Sequence, residues 1–296
     1  MSEITVGFAG LGAMGRPMAL NLHRAGLLNA VFNRSPAKTD ALAAETGCAA
    51  TYRLEDLAAR ANAVVLCVPA DADVLDAVDA LADALSEGAL VIDCSTVSAA
   101  TARRAATILA AHGIDFLDCP VSGGTEGARA GTLSIMVGGE AEAVDRARPI
   151  LAAMGKSLVH LGPAGAGQAA KATNQIMVAG INQAVTEALA FGAAHGLPMD
   201  ELIQALSGGA AGNWFLDHRG PTMVRGEFPL GFKVELHDKD LRICQEMAEA
   251  LDTRLPVVEM TRLHYRRLQT AGYGEQDISS LFRLKQAMFD DEPAED

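Results

Sequence analysis

Short apolar runs alternate with helical patterns through the first half of the chain. The runs are continuous rather than alternating in polarity, which is typical of strands in a parallel sheet that is covered on both faces. They lie at Ile4–Ala9, Ala30–Phe32, Ala63–Val68, Ala89–Asp93, Asp115–Asp118 and Thr132–Val137. Stretches with helical periodicity lie between several of them, at Met14–Ala25, Ala37–Glu45, Val74–Leu85 and Ala100–His112. This alternation predicts βαβ units, and therefore an α/β fold with a doubly wound parallel sheet.

The pattern changes after a cluster of helix-breaking residues at Gly162–Gly167. From Gln168 to about His195 the chain has no proline, which predicts a single helix of about 28 residues and about 42 Å. Further helical patterns follow at Met199–Ser207, Leu236–Ala250, Pro256–Ala271 and Ile278–Phe289. We therefore expect an α/β domain over residues 1–162 and an all-helical domain over residues 163–290, joined by a long interdomain helix. Residues 291–296 are expected to form an acidic tail.

The charge balance excludes several classes of partner. The chain has 24 Lys and Arg against 37 Asp and Glu, a net charge of −13. Nucleic acids and anionic membrane surfaces both attract an excess of positive charge, so we expect neither as a partner. A small anionic ligand is still compatible with this balance, because a local group of donors can bind it.

The cysteines and the N-terminal residues indicate in which cellular compartment the protein is expected. The five cysteines are odd in number and contain no CxxC pair, so we expect neither a disulfide framework nor a metal site. The N-terminus lacks a basic segment followed by an apolar stretch, and no run of about 18 apolar residues occurs. The simplest expectation is a cytoplasmic protein.

A glycine-rich turn follows the first apolar run and precedes a helical stretch. Its residues are Gly10, Leu11, Gly12, Ala13, Met14 and Gly15, in the GxGxxG spacing. In this context Gly10 permits a tight turn, Gly12 lets the backbone approach a pyrophosphate, and Gly15 lets helix and strand pack closely. The N-terminus of the helix then presents N–H groups to the phosphates. The alternative, a glycine turn without a ligand, is less favoured by this context.

The end of the second strand indicates which dinucleotide is bound. NAD enzymes usually place a carboxylate about 20 residues after the glycines, against the ribose 2′-hydroxyl. This chain has Asn33, Arg34 and Ser35 there instead. A guanidinium with two neutral hydrogen-bonding groups suits a 2′-phosphate, so we expect NADP(H) to be preferred and NAD(H) to be possible. The alternative is a solvated arginine in a turn.

Two further segments carry candidate chemistry. Ser122, Gly123 and Gly124 follow a predicted strand, and their consecutive N–H groups could hold a substrate carboxylate, although a plain glycine turn is an equal alternative. Near the start of the long helix, Lys171 shares one face with Asn174 and Gln175. A lysine there opposes the helix dipole, which hints at function. A solvated or paired lysine is the plainer alternative.

Four motifs together resemble the β-hydroxyacid dehydrogenase family, which includes 3-hydroxyisobutyrate dehydrogenase and tartronate semialdehyde reductase. They are Gly7–Gly15, Asp118–Ala128, Gly167–Gln175 and Lys239–Leu241, and they occur in the order found in that family. The similarity runs from Ile4 to about Lys285. It implies a Rossmann-type domain followed by a helical domain, assembled into a homodimer or homotetramer.

The resemblance also implies roles for single residues. Lys171 corresponds to the catalytic acid/base, and Ser122, Gly123, Gly124 and Asn174 correspond to residues that hold the substrate. Cofactor contacts are implied for Val68, Pro69, Thr96 and Lys239.

The expected function is hydride transfer between NADP(H), or NAD(H), and a short β-hydroxy acid or its semialdehyde. Substrates of this class are small carboxylates such as 3-hydroxyisobutyrate, tartronate semialdehyde and succinic semialdehyde. The alternatives are an imine reductase, which shares the architecture, and a noncatalytic nucleotide-binding scaffold. Lys171 and the Ser122–Gly124 segment favour the dehydrogenase, because relatives of both other kinds usually replace that lysine.

Overall fold

The structure, a computed structural model, describes residues 4–290. The chain forms two compact units, Met1–Lys171 and Ala172–Asp296. The boundary between them lies inside one long helix, nine residues beyond the boundary that the sequence predicts at residue 162. The predicted acidic tail, residues 291–296, lies outside the described residues.

The first unit is built on a sheet whose strands run in the order β3-β2-β1-β4-β5-β6-β8-β7, with β9 beside β8. The strands are β1 (Val6–Ala9), β2 (Leu28–Phe32), β3 (Ala49–Thr51), β4 (Ala63–Leu66), β5 (Leu90–Asp93), β6 (Asp115–Asp118), β7 (Val121–Ser122), β8 (Leu133–Gly138) and β9 (Gly155–Gly162). The strands from β3 to β6 pair in parallel, whereas β8 is antiparallel to β6 and β7. The chain order reverses at β1, which lies between β2 and β4, so the sheet has a topological switch point there.

Helices cover both faces of this sheet. Because successive strand residues point to opposite sides, each strand contributes side chains to two separate cores. In β4, Val65 packs into the core that contains Met18, whereas Val64 packs into the core that contains Val78. Both cores are apolar, which explains why the strands are apolar without interruption. The helices of this unit are α1 (Gly15–Arg24), α2 (Pro36–Thr46), α3 (Leu54–Ala58), α4 (Asp71–Ala82), α5 (Ala99–Ala110), α6 (Gly124–Ala130) and α7 (Ala141–Met154).

The long helix α8 spans Ala166–Ala194, 29 residues, and continues from the first unit into the second. Its length and apolar composition would also suit a membrane span, a test that the core helix of a soluble protein passes equally. The remaining elements of the second unit are α9 (Met199–Ser207), α10 (Trp214–Met223), α11 (Val234–Glu249), α12 (Pro256–Thr270), a 3-10 turn (Ile278–Ser280) and α13 (Leu281–Asp290). They enclose a core of their own around Leu241, Tyr265 and Phe282.

Candidate functional site

The glycine-rich turn joins β1 to α1, and its three glycines meet different surroundings. A Cβ on Gly10, whose φ is +100°, would lie 2.1 Å from the carbonyl oxygen of Cys67, and one on Gly15 would lie 1.9 Å from that of Gly10. A Cβ on Gly12 would meet no atom of the chain within 4 Å. Gly10 and Gly15 are therefore required by packing, whereas Gly12 faces open space.

The start of α1 is suited to an external anion. Met14 at the N-cap makes no side-chain capping hydrogen bond, and the first turn contains no acidic residue. Backbone N–H groups at such a helix end attract phosphate groups. Together with the open space at Gly12, this turn fits the pyrophosphate of a dinucleotide.

Three residues at the end of β2 are predicted to contact the adenosine ribose. Asn33 is half-buried, whereas the other two are exposed. Asn33 Oδ1 accepts a hydrogen bond from the Leu11 backbone N–H at 2.8 Å, so this side chain braces the glycine turn. Arg34 and Ser35 are exposed. Arg34 Nη1 lies 3.4 Å from Asp73 Oδ1. Of the three, Arg34 presents a cation to the surroundings of the turn.

A cavity of about 340 Å³ adjoins the same turn. It runs along α1, and three arginines contribute to its walls. Its lining residues are Gly12, Ala13, Arg16, Pro17, Leu20, Arg24 and Arg129. Arg16 is paired with Glu45, and Arg24 donates a hydrogen bond to Asn21 Oδ1. In a chain of strongly negative net charge, this local cluster of guanidinium groups favours an anionic ligand beside the turn.

The segments after β4 and β5 hold the other predicted cofactor contacts. The Val68 backbone N–H donates to Ser95 Oγ at 2.9 Å, and Pro69 next to it is exposed. Thr96, half-buried, follows Ser95, whose backbone carbonyl accepts a hydrogen bond from Gln168 at 2.8 Å. These contacts place Val68, Pro69 and Thr96 at the carboxyl edge of the sheet, where α/β proteins bind ligands.

Asp93, the last residue of β5, is fully buried beneath this edge. Burial raises the pKa of Asp93 to about 6; hydrogen bonds from Ser95 lower it, and the charges of Asp118 and Asp71 raise it further. Because the folded-state pKa exceeds the ordinary value of about 3.9, the folded chain binds an extra proton between these two pH values. The resulting stabilisation is complete below about pH 4 and is lost as the pH rises through about 6.

Replacing Asp93 with asparagine should remove this pH dependence. The free energy of unfolding of Asp93→Asn, relative to that of the unmodified chain, should increase by about 2 kcal/mol between about pH 4 and pH 8. Urea unfolding of both proteins at the two pH values measures the change. Asp79→Asn, at an exposed position on α4, is the matched control and should give the same difference at both pH values. A difference for Asp93→Asn that does not change with pH would contradict the assignment.

The first turn of α8 is fastened to the carboxyl ends of β5 and β6. The carboxylate of buried Asp118 accepts hydrogen bonds from the backbone N–H groups of Gly165 and Gln168, each at 2.8 Å. Gln168 Oε1 accepts from the Val97 backbone N–H at 3.2 Å. Lys171 follows Gln168 by three residues and is 7% exposed. The sheet therefore fixes the position from which this buried lysine projects.

The Ser122–Gly124 segment joins β7 to α6. Gly123 and Gly124 have φ values of +130° and +61°, which residues with a side chain rarely adopt. Both glycines are exposed, and Ser122 is half-buried. Consecutive backbone N–H groups in such conformations form concave sites for anions, as the sequence predicts for a substrate carboxylate.

In the second unit, polar side chains link α8 to α11. Asn174 Nδ2 donates to Gln175 Oε1 at 2.8 Å, and Gln175 Nε2 donates to Asp240 Oδ2 at 2.7 Å. The other oxygen of Asp240 lies 3.2 Å from Lys239 Nζ. Asp240 thus connects the predicted substrate residue Asn174 with the predicted cofactor residue Lys239. The sequence gives no signal for this bridging role, because 65 residues separate Gln175 from Asp240.

The structure gives no indication of a metal site within residues 4–290. No group of three or more His, Cys, Asp or Glu side chains in that range is arranged to hold a metal ion.

Comparison with known proteins identifies the family. A model of the NAD binding domain of 6-phosphogluconate dehydrogenase matches residues 5–162. A second model, described as the NAD-binding region of NADP-dependent 3-hydroxyisobutyrate dehydrogenase, matches residues 165–285. The chain belongs to the β-hydroxyacid dehydrogenase family. It is therefore an oxidoreductase that uses a nicotinamide dinucleotide, and the predicted family and fold class are confirmed.

Similar family members act on several substrates. The chain is 38% identical to the NAD-dependent L-serine dehydrogenase of Pseudomonas aeruginosa, over 94% of this chain and 97% of that protein. It is 35% identical to the 2-hydroxy-3-oxopropionate reductase of Escherichia coli, over 96% and 97% of the two chains. A structure of Mycobacterium tuberculosis 3-hydroxyisobutyrate dehydrogenase with L-serine superposes with a TM-score of 0.87 at 32% identity, covering 96% of this chain and 99% of that one.

Proposed function

We propose that this β-hydroxyacid dehydrogenase interconverts a short semialdehyde and its β-hydroxy acid, prefers NADP(H) to NAD(H), and uses Lys171 as the acid/base. The observation that carries the proposal is the buried Lys171, one turn beyond the contacts that fasten α8 to the carboxyl ends of β5 and β6. The dinucleotide turn leaves β1 at the carboxyl edge of the same sheet.

The bound nicotinamide supplies the hydride for reduction, or accepts it in the reverse reaction. Negative charge grows on the carbonyl oxygen of the substrate as its carbon is reduced. The ammonium group of Lys171 donates a proton to that oxygen, which stabilises the charge. In the oxidative direction, the neutral amine of Lys171 takes the hydroxyl proton.

The substrate carboxylate is assigned to the Ser122–Gly124 segment. The Ser122 hydroxyl and the backbone N–H groups of Gly123 and Gly124 donate hydrogen bonds to it. Asn174, which follows Lys171 by three residues on α8, is assigned to the substrate hydroxyl or carboxylate. Substrates named for the relatives share a three-carbon skeleton with a carboxylate at C1 and the reacting oxygen at C3. They differ at C2, so we propose a 3-hydroxy or 3-oxo propionate as the substrate class.

Absorbance of the reduced cofactor tests this proposal. We would measure kcat/KM for tartronate semialdehyde, succinic semialdehyde and a cyclic imine with NADPH, and for 3-hydroxyisobutyrate and L-serine with NADP⁺. Turnover of tartronate semialdehyde, 3-hydroxyisobutyrate or L-serine supports the dehydrogenase and the substrate class. Turnover confined to succinic semialdehyde, whose oxo group is on C4, would support a dehydrogenase but contradict the 3-carbon class. Turnover confined to a cyclic imine would indicate an imine reductase. Dinucleotide binding without turnover of any of them would indicate a noncatalytic scaffold.

Arg34 is the residue proposed to recognise the 2′-phosphate. Replacing it with alanine should raise the Kd of NADP⁺ by at least about tenfold, since charge-assisted hydrogen bonds contribute about 1.5–3 kcal/mol. The Kd of NAD⁺ should change by less than about threefold, because NAD⁺ lacks that phosphate. Titration calorimetry of both cofactors measures the effect, with Arg53→Ala, another exposed arginine of the first unit, as the control. A tenfold preference of the unmodified enzyme for NADH would refute this part of the proposal.

We propose a cytoplasmic homodimer or homotetramer that forms through the helical unit. Large apolar side chains of that unit support it, because Met177, Phe191 and Leu251 are 63%, 54% and 77% exposed. Light scattering coupled to size-exclusion chromatography determines the molecular mass in solution, and a monomer at micromolar concentration would contradict this proposal.

A further inference from the structure

Arg34 has a partner from the opposite side of β1. Arg34 follows β2, and Asp73 lies in the first turn of α4, which follows β4. In the sheet, β2 and β4 are the two neighbours of β1. The Arg34–Asp73 contact, 3.4 Å between Nη1 and Oδ1, therefore joins the two flanks of the strand from which the glycine-rich turn leaves. Dinucleotides bind in the crevice at this position, with the adenosine ribose towards the end of β2.

The two partners differ in how freely they can move. The Arg34 side chain is 86% exposed, whereas that of Asp73 is 30% exposed and belongs to a helix. An exposed ion pair contributes only about 0–1 kcal/mol, so Arg34 can leave Asp73 with little loss. Because Asp73 lies in the first turn of α4, we expect its carboxylate to keep its position when Arg34 moves.

The other acidic residue in the first turn of α4, Asp71, makes contacts within the protein. Asp71 Oδ1 accepts hydrogen bonds from the Ser98 backbone N–H at 2.9 Å and from Thr101 Oγ1 at 2.7 Å. These contacts tie Asp71 to the start of α5, and they hold its pKa below the usual range although burial opposes them. Asp73 is thus the acidic residue of the first turn of α4 that faces Arg34.

We propose that Asp73 is a specificity-determining residue that weakens the NADP(H) preference conferred by Arg34 and keeps NAD(H) usable. The inference rests on the proposed function, in which Arg34 binds the 2′-phosphate. A 2′-phosphate must compete with the Asp73 carboxylate for the guanidinium of Arg34. Once bound there, it is also repelled by the negative charge of the nearby Asp73. A ribose 2′-hydroxyl carries no charge and can donate a hydrogen bond to a carboxylate, which is how NAD enzymes read it. Asp73 would supply from α4 the acidic group that the end of β2 lacks.

The expected size of the effect follows from Coulomb's law. A phosphate of nearly two negative charges about 6 Å from a carboxylate in water-like surroundings is bound about five- to tenfold more weakly than without that carboxylate. The penalty should shrink at about 0.5 M salt, where charges are screened over less than about 5 Å.

Calorimetric binding of adenosine fragments to the full-length protein tests the proposal without turnover. We would compare adenosine 2′,5′-bisphosphate with adenosine 5′-monophosphate for the unmodified protein, Asp73→Asn and Arg34→Ala, and repeat the comparison with NADP⁺ and NAD⁺. Asp73→Asn should bind the bisphosphate and NADP⁺ about five- to tenfold more tightly at low salt. Its affinity for the monophosphate and NAD⁺ should stay equal or fall. Asp76→Asn, an exposed acidic position one turn later on α4, is the matched control and should change neither ratio by more than about twofold.

The outcomes separate the two proposals. An unchanged ratio of bisphosphate to monophosphate affinity in Asp73→Asn, or equal changes for both ligands, would overturn the role of Asp73. A bisphosphate affinity that Arg34→Ala leaves unchanged would instead overturn the proposed role of Arg34. The double variant Arg34→Ala, Asp73→Asn should bind the bisphosphate more tightly than Arg34→Ala alone, because the repulsion acts on the phosphate directly. Equal affinities of these two variants would contradict that repulsion.

Discussion

Replacing Lys171 with alanine is expected to lower kcat at least about 100-fold, the lower limit for the loss of a general acid/base. The reason is that no ammonium group would then donate a proton to the reduced oxygen, or take it in the oxidative direction. The dissociation constant of the dinucleotide should change by less than about twofold, because the glycine-rich turn is intact. Steady-state kinetics with saturating cofactor measures kcat, and calorimetry measures the dissociation constant.

Two further variants make this result specific to the amine. Lys171→Met keeps most of the buried length of the side chain but carries no proton, so its kcat should fall as far as that of Lys171→Ala. Lys156→Ala, at an exposed position on β9, should have normal kinetics. Near-normal turnover by Lys171→Met in a folded protein would remove Lys171 from the mechanism.

The second large effect is expected at Gly12. Replacing it with valine should weaken binding of both NADP⁺ and NAD⁺ by about 10- to 100-fold, since a branched side chain would keep the pyrophosphate from the backbone N–H groups and remove one charge-assisted hydrogen bond or more. The free energy of unfolding without cofactor should stay nearly the same, because a Cβ at Gly12 meets no atom within 4 Å. Calorimetry and urea unfolding measure the two quantities.

Gly15→Ala is the matched comparison within the same turn. Its Cβ would lie 1.9 Å from the carbonyl oxygen of Gly10, so this variant should unfold at a lower urea concentration. The expected loss of unfolding free energy is at least about 1–3 kcal/mol, as for other overpacked sites. If Gly12→Val bound dinucleotides normally, the pyrophosphate would not lie against this turn.

Six strands and four helices of the first half were predictable, because their apolar runs or helical periods stand out in the sequence. They are β1, β2, β4, β5, β6 and β8, and α1, α2, α4 and α5. The short elements β3, β7, α3 and α6 span only two to seven residues and were not predicted. Less regular elements escaped prediction for identifiable reasons. Strand β9, Gly155–Gly162, contains Lys156 and His160 and is half exposed, so it has no continuous apolar run. Helices α7 and α10 contain Pro149 and Pro221, which normally interrupt a helical pattern. The antiparallel pairing of β8 depends on long-range contacts that no local pattern encodes.

Site residues that lie within one segment of the chain could be predicted from the sequence. Contacts between residues that are distant in the sequence could not. The GxGxxG spacing, with an apolar run before it and a helical stretch after it, identified the glycine-rich turn. The helical period placed Lys171 and Asn174 on one face. By contrast, the contact of Arg34 with Asp73 joins residues 39 positions apart. The bonds from Asp118 to the start of α8 span 47 and 50 positions. Such contacts follow from the strand order, which a single sequence does not reveal.

The hydrogen bonds of Asp118 bear on how the proposed enzyme would distinguish the cofactor phosphates from the substrate carboxylate. Its carboxylate already neutralises the partial positive charge at the first turn of α8, whereas the first turn of α1 has no such internal counter-anion. The end of α1 is therefore open to the cofactor phosphates proposed for it, whereas an internal carboxylate already occupies the start of α8. Under the proposed function, the substrate carboxylate uses a third helix start, that of α6 at Gly124, together with the Ser122 hydroxyl. Because the two proposed anion sites lie on different helices, substitutions at the start of α6 should change the range of acids accepted without disturbing dinucleotide binding.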